Sequence, residues 1–249
     1  MKKYKYVVVS GCSFSASDDP ELPNPGELYG DLIADYFGAK SYNLAKCGGT
    51  IDYVNRTILE WCGKNKDRVE DTLVILGMPS IGRWTLWSNK KKQWVNFNFN
   101  FKNSLLTIWS KGNDIKEYFY SYNKKDMMKY FKNSWNKNEK LRSAINIIVG
   151  LQSFFKVNNI DHVFFDASAS SYSEYWKECD EKSFGEQYSN KLLWDSLIET
   201  EYWYEHPKYK GFIGLTRNNL DMRISEDDLH PNKEAHNYWA ECLLEFINE

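Results

Sequence analysis

No stretch of this chain is apolar for long enough to span a membrane. Nor does it carry a charge excess that would attract a polyanion: 32 basic residues stand against 34 acidic ones, for a formal net charge of −2. Nucleic-acid-binding proteins are more often clearly basic, so that class is set aside. Cysteine is present but not in pairs. Cys12, Cys47, Cys62, Cys179 and Cys242 show none of the close spacings of a zinc site. An odd number of thiols with no export signal points to a reducing, cytoplasmic setting. Met1 to Tyr4 lead straight into the first apolar run, which leaves no room for a signal peptide. Repeats of solenoid length and low-complexity linkers are also missing. What remains is a chain of 249 residues, 42% hydrophobic and 16% aromatic, which suits one large domain, or one domain with an insertion, around a sizeable core.

The order of elements narrows the fold. Tyr6-Val7-Val8-Val9 is a β-branched run that reads as a buried strand. A polar loop over 15–26 leads to a helix carrying Leu28, Leu32, Ile33, Tyr36 and Phe37, with Gly38 placed to end it. Ser41 to Ala45 fits a short strand. Lys46-Cys47-Gly48-Gly49-Thr50 is a glycine turn into a second helix that stops near Gly63. Leu73-Val74-Ile75-Leu76 is a strand of parallel-sheet type. From 84 to about 137 the alternation breaks off into aromatics and lysines, read as an inserted lid or subdomain. Within it, Val95 to Phe101 alternates with period two and pairs with Trp84 to Trp87 as a hairpin, with lysines 90 to 92 at its solvated tip. A helix over about 139–157, a strand at His162 to Asp166, a helix around Leu192 to Ile198, a short strand at Phe212 to Leu215 and a last helix after Pro231 follow. Repeated strand–helix units predict a parallel sheet of flavodoxin-like type with helices on both faces, a three-layer α/β/α sandwich. Ligands bind such sheets at the C-terminal strand ends, where Ser13, Gly48 and Gly77 fall.

Two of these ends carry chemistry. Ser13 follows a buried strand where the chain must turn, so its hydroxyl is presented at the top of the sheet. Asp227-Asp228-Leu229-His230-Pro231 supplies an imidazole and carboxylates to hold its second ring nitrogen. Asp227 reaches back across one turn to do so; Asp228 competes, and the spacing alone does not choose between them. A serine, a histidine and a carboxylate are the parts of nucleophilic acyl transfer. A metal site on His230, Glu234 and His236 is set aside, because helix positions two apart face different ways. Cys12 reads as a buried small hydrophobe rather than a nucleophile.

These segments resemble the SGNH hydrolases, also called GDSL-type esterases and lipases. Gly11-Cys12-Ser13 stands where that family has its Gly-Asp-Ser turn, so the resemblance implies that Ser13 is the nucleophile. Asn43-Leu44-Ala45-Lys46-Cys47-Gly48 fits the second block and implicates the Gly48 N–H, beside that of Ser13, in the oxyanion hole. Asp227, His230 and Pro231 match the closing Asp-x-x-His-Pro block, which assigns Asp227 and His230 to the triad. The Gly-Cys-Ser-Phe variant is similar to a subgroup common in phage and environmental bacterial sequences, which implies a phage origin.

The third block departs. Gly77-Met78-Pro79-Ser80 replaces Gly-x-Asn-Asp, and Pro79 stands where the oxyanion-binding Asn belongs. Ser80 and Arg83 are the substitute donors on the same loop. The expectation is a serine esterase needing no metal or organic cofactor and acting on a small acyl ester such as an acetylated carbohydrate. An acyltransferase with the same residues, or a degenerate glycan- or protein-binding module, is the alternative. The insertion's Trp84, Trp87, Trp94, Phe97, Phe99, Trp109 and Trp135 either line a sugar or acyl pocket, Trp84 and Trp87 foremost, or form the insertion's own core or an oligomer contact.

Overall fold

The computed structural model describes residues 3–17, 22–88, 92–100, 105–109, 129, 133, 137–167 and 195–249. Strand β1 (Tyr6–Ser10) lies inside the main sheet, as its unbroken Val7-Val8-Val9 run requires: all three side chains are buried, although they point alternately to opposite faces. β2 (Lys40–Asn43) and β3 (Thr72–Met78) pair with it in parallel on either side. β7 (Asp161–Asp166) pairs with β3, and the short β8 (Trp203–Tyr204) closes the sheet. The order is β2-β1-β3-β7-β8, all parallel, so the strand order reverses at β1, and sheets of this kind bind ligands at the C-terminal strand ends beside such a reversal.

Helices cover both faces. Val7, Val9, Leu73, Ile75 and Phe165 pack with α1 (Tyr29–Phe37), α4 (Gly211–Asn218) and α5 (Lys233–Asn248), where Trp239 and Phe212 stack at 4.7 Å. Val8, Val74, Leu76 and Phe164 pack with α2 (Ile51–Lys64) and α3 (Lys137–Val157). The period-two alternation of each strand thus divides one chain into two cores and gives the three layers. Helix ends follow from local chemistry. Gly38 adopts φ 63° and closes α1 by donating its N–H back into the last turn, a conformation that disfavours a side chain. Thr50 caps α2 by accepting the Tyr53 N–H, and Asn232 caps α5 by accepting that of Ala235.

One expected strand is a helix. Phe212 to Leu215 lies within α4, and the fifth strand is instead Trp203–Tyr204. The run of apolar residues is too short to distinguish the two states by period. What decides is the approach of Gly211, at φ 67°, to the end of β7, where a Cβ would lie 2.4 Å from the Asp166 carbonyl oxygen. The chain turns there, bonds Ile213 N–H to Ala167 O at 3.0 Å, and buries Phe212, Ile213, Leu215 and Thr216 as one helical turn.

Between β3 and α3 a second, antiparallel sheet forms from β4 (Arg83–Ser88), β5 (Gln93–Asn100) and β6 (Leu105–Trp109) in that order. Its β4 edge meets α2, and two cations fasten it: Arg56 lies 4.7 Å from the Trp94 ring and Lys140 lies 3.5 Å from the Trp84 ring. Trp135, Cys179, Leu192 and the lysine tip at 90 and 91 lie outside the described residues, as do the side chains of Trp87, Phe97, Phe99 and Trp109. Among the described residues, no helix is long and apolar enough to cross a membrane.

Candidate active site

Ser13 sits in the turn that leaves β1. The turn closes through Ser15 N–H donating to Cys12 O at 2.9 Å, and Tyr29 OH donates to Ser15 Oγ at 2.8 Å from beneath. Cys12 is fully buried in the core on the α1 side, so the neighbouring Ser13 points away from it and keeps 7% of its surface exposed. Asn43 fixes the turn from β2, donating Nδ2–H to Ser15 O at 2.7 Å while its Oδ1 accepts the Ala45 N–H at 2.9 Å.

The imidazole arrives from the other end of the chain. His230 Nε2 lies 2.7 Å from Ser13 Oγ across a sequence separation of 217 residues. His230 Nδ1 lies 2.6 Å from Asp228 Oδ1. An ionised carboxylate only accepts, so Nδ1 carries the ring proton and Nε2 turns a bare lone pair to the hydroxyl. This is the orientation in which an imidazole takes a proton from an alcohol. Partial burial works to raise the Asp228 pKa, but hydrogen bonds from the His230 backbone and ring outweigh it and hold the carboxyl below the ordinary range. Phe14 packs against the His230 ring at 5.2 Å.

The acid on Nδ1 is therefore Asp228 and not Asp227, which correction has a local cause. Asp228 Oδ1 also accepts the His230 N–H at 2.9 Å, so the carboxylate closes a three-residue Asx-turn. That turn directs Asp227 outward, where it is exposed. An Asp two residues before a functional histidine and three before a proline is itself a turn signal, and it favours Asp228.

The glycine turn at 48–50 packs against Gly11, just past the end of β1. A Cβ on Gly49 would lie 2.3 Å from Gly11 O, so only glycine permits this approach. Gly48 adopts φ 72°. Among the described residues, neither the Ser13 N–H nor the Gly48 N–H has a hydrogen-bond partner. Pro79 is buried at the end of β3. Ser80 Oγ accepts the Gly82 N–H at 3.3 Å. Arg83, expected as an oxyanion donor, places Nη1 2.9 Å from the Gly49 carbonyl oxygen. Trp84, expected at the substrate, has the Lys140 ammonium 3.5 Å from its ring.

The other histidines serve the fold. His236 is fully buried, accepts the Tyr29 N–H at 3.3 Å, and has its pKa pushed down to about 3 by burial. His206 bonds Tyr238 OH and the backbone of Lys208 and Tyr209. Among the described residues, no group of three or more His, Cys, Asp or Glu is placed to hold a metal ion.

No family model matches the chain, and no curated protein matches its sequence. Solved structures do match. A psychrotrophic esterase, EstA from Pseudoalteromonas sp., captured with monoethylphosphonate, superposes over 98% of this chain and 97% of its own, at 12% identity and a TM-score of 0.51. The acetylxylan esterase Axe2 of Geobacillus stearothermophilus aligns over 100% and 96%, at 10% identity and a TM-score of 0.46. The acetyl xylan esterase Est2A of Butyrivibrio proteoclasticus aligns over 98% and 64%, at 9% and 0.46. The fold of this chain, a parallel sheet between two layers of helices, is that of the esterase EstA.

Proposed function

We propose that this protein is a serine ester hydrolase with Ser13 as nucleophile, His230 as base and Asp228 as the acid that orients it. The relay of 2.7 Å and 2.6 Å contacts from Ser13 through His230 to Asp228 carries the reading. As Oγ bonds the ester carbonyl carbon, its proton passes to His230 Nε2. The tetrahedral intermediate expels the alcohol, which takes that proton, and an acyl-Ser13 ester remains. Water then attacks the acyl carbon as its proton passes to His230, the Oγ–acyl bond breaks to release the acid, and Ser13 Oγ takes the proton back from His230. The N–H groups of Ser13 and Gly48 receive the oxyanion, with the Ser80 hydroxyl as the candidate third donor. The acyl group is small, such as acetyl on a carbohydrate, as the sequence resemblance implies.

A fluorophosphonate probe tests this, since it reports an activated serine without requiring the natural substrate. Wild type labels at Ser13; Ser13→Ala does not, and His230→Ala labels far more slowly. Equal labelling of wild type and Ser13→Ala, or labelling of neither, overturns the proposal in favour of a binding module.

A further inference from the structure

The Gly48–Thr50 turn is held from outside the main sheet. From the β1 side it receives the close packing of Gly49 on Gly11 but a weak hydrogen bond, Lys46 N–H to Gly11 O at a long 3.4 Å, and the turn closes on itself through Gly49 N–H to Lys46 O at 2.8 Å. The firmer contacts come from β4. Arg83 Nη1 donates to Gly49 O at 2.9 Å, a charged donor on a peptide carbonyl and so a stronger bond than the neutral kind. Two residues on, Thr85 Oγ1 lies 2.5 Å from Thr50 Oγ1. Thr85 gives its own proton to Asn96 Oδ1 at 2.9 Å, so the Thr50 hydroxyl must donate to Thr85 while it accepts the Tyr53 N–H at 3.1 Å. Thr50 is fully buried and Asn96 is 5% exposed. A satisfied polar chain of this kind, shielded from water, fixes the groups it joins.

Strand alternation makes this arrangement. Arg83 and Thr85 share one face of β4 and meet the turn, whereas Trp84 points the other way, to Lys140. Thr85 stands directly opposite Asn96 in the β4–β5 register. The inserted sheet is therefore joined by side chains to the turn whose Gly48 N–H faces the reacting centre in the reading above. The segment that gives up a donor at Pro79 supplies a brace four residues later.

We propose that β4 is a working part of the site: Arg83, assisted by Thr85, is a positioning residue that holds the Gly48–Thr50 turn in its oxyanion-binding shape. The role rests on the esterase reading. Arg83 acts through Gly49 and places its positive charge one residue from the Gly48 N–H. Its loss therefore lowers turnover and leaves ground-state binding nearly intact, because the oxyanion exists only once the serine has attacked.

Steady-state hydrolysis of p-nitrophenyl acetate and the fluorophosphonate labelling rate are measured for wild type, Ser13→Ala, Arg83→Ala, Arg83→Lys and Thr85→Val, each checked for folding by thermal melting. Arg83→Ala is expected to lower kcat by about 10²-fold, the order set by losing one oxyanion contact, with KM within about threefold. Thr85→Val is expected to lower kcat by about 10-fold. Arg83→Lys, or guanidinium ion added to Arg83→Ala, restores most of the loss, and the labelling rates follow the same order. If Arg83→Ala does not fold, Arg83→Gln, which keeps a donor without the charge, reads the same split. Folded Arg83→Ala with kcat within about twofold of wild type, while Ser13→Ala is inert, overturns the positioning role and leaves the esterase standing. A loss that neither lysine nor guanidinium restores overturns it as well, in favour of a structural role alone. Inert wild type, or active Ser13→Ala, overturns the esterase reading and this one with it.

Discussion

Asp228 Oδ1 holds both nitrogens of His230 that face it, the backbone N–H at 2.9 Å and ring Nδ1 at 2.6 Å, while the adjacent Asp227 is exposed. Two carboxylates one residue apart thus have separate roles. Asp228→Asn leaves the turn able to form but offers the ring an amide that no longer fixes the tautomer. Its kcat for ester hydrolysis is expected to fall by about 10³–10⁴-fold, the order seen when a triad carboxylate becomes an amide. Asp227→Asn is expected to stay within about threefold, as for a surface site. Steady-state kinetics on both variants decide the matter, and the reverse ranking would return the role to Asp227.

The sheet was legible because buried parallel strands write themselves as apolar runs: Val7 to Val9 and Leu73 to Leu76 read as strands without tertiary information. Ser13 and His230 were legible because each stands in a turn directly beside such an element. Their partners were less so. Whether Asp227 or Asp228 meets the ring depends on the turn in which Asp228 Oδ1 also accepts the His230 N–H, and residue spacing is almost blind to that. Phe212 to Leu215 misleads because four apolar residues suit a strand and a helical turn equally, and the end of β7 decides. The contact of Arg83 with Gly49 joins a strand and a turn 34 residues apart and leaves no pattern in either.

Gly49 tests the packing of the glycine turn on β1. An added methyl would overlap a backbone oxygen, Gly11 O, which has no rotamer to escape into. Gly49→Ala is expected to cost about 1–3 kcal/mol of stability by overpacking. It should also lower kcat by about 10²-fold, because the turn must move off the oxyanion position. Urea unfolding and kinetics on one preparation check both. A variant as stable and active as wild type would mean that the two loops are not packed this closely.

Acid should weaken the fold through His236. Its ordinary pKa of 6.5 falls to about 3 in the folded protein, because burial penalises the charged ring. Between those values the unfolded chain binds the extra proton, so the His236 contribution is complete above pH 6.5 and is lost as the pH drops. The slope is about 1.4 kcal/mol per pH unit. Burial lowers the pKa of His162 as well, which acts in the same direction. Urea unfolding at pH 7, 6 and 5 measures the slope. His236→Gln keeps an acceptor for the Tyr29 N–H and removes the titration, so its stability should vary less over that range. An unchanged slope would assign the acid sensitivity to other groups.

The loop that presents Asp228 and His230 depends on one guanidinium. Arg223 Nε and Nη2 donate to Thr216 O at 2.5 Å and Arg217 O at 2.7 Å, carbonyls of the last turn of α4 that lack helical partners. Its Nη1 donates to Glu226 O at 3.1 Å, inside the loop. Its own carbonyl accepts Asn232 Nδ2–H at 3.0 Å, and Ile224 N–H donates to His230 O at 3.0 Å beside it. The planar fork thus ties the end of α4 to both halves of the loop. A lysine has one centre and cannot serve three carbonyls in a plane. Arg223→Ala and Arg223→Lys are both expected to lose about 1–3 kcal/mol of stability, the cost of bonds to a charged donor. Both should lower kcat by about 10-fold or more as the imidazole drifts from Ser13. KM should change little under the proposed mechanism, in which the loop positions the base. Amide exchange at Ile224 and Asp228, which donate within this loop, should rise in step. If the kinetics hold within about twofold while exchange rises, the loop tolerates disorder and the base is held by Asp228 alone.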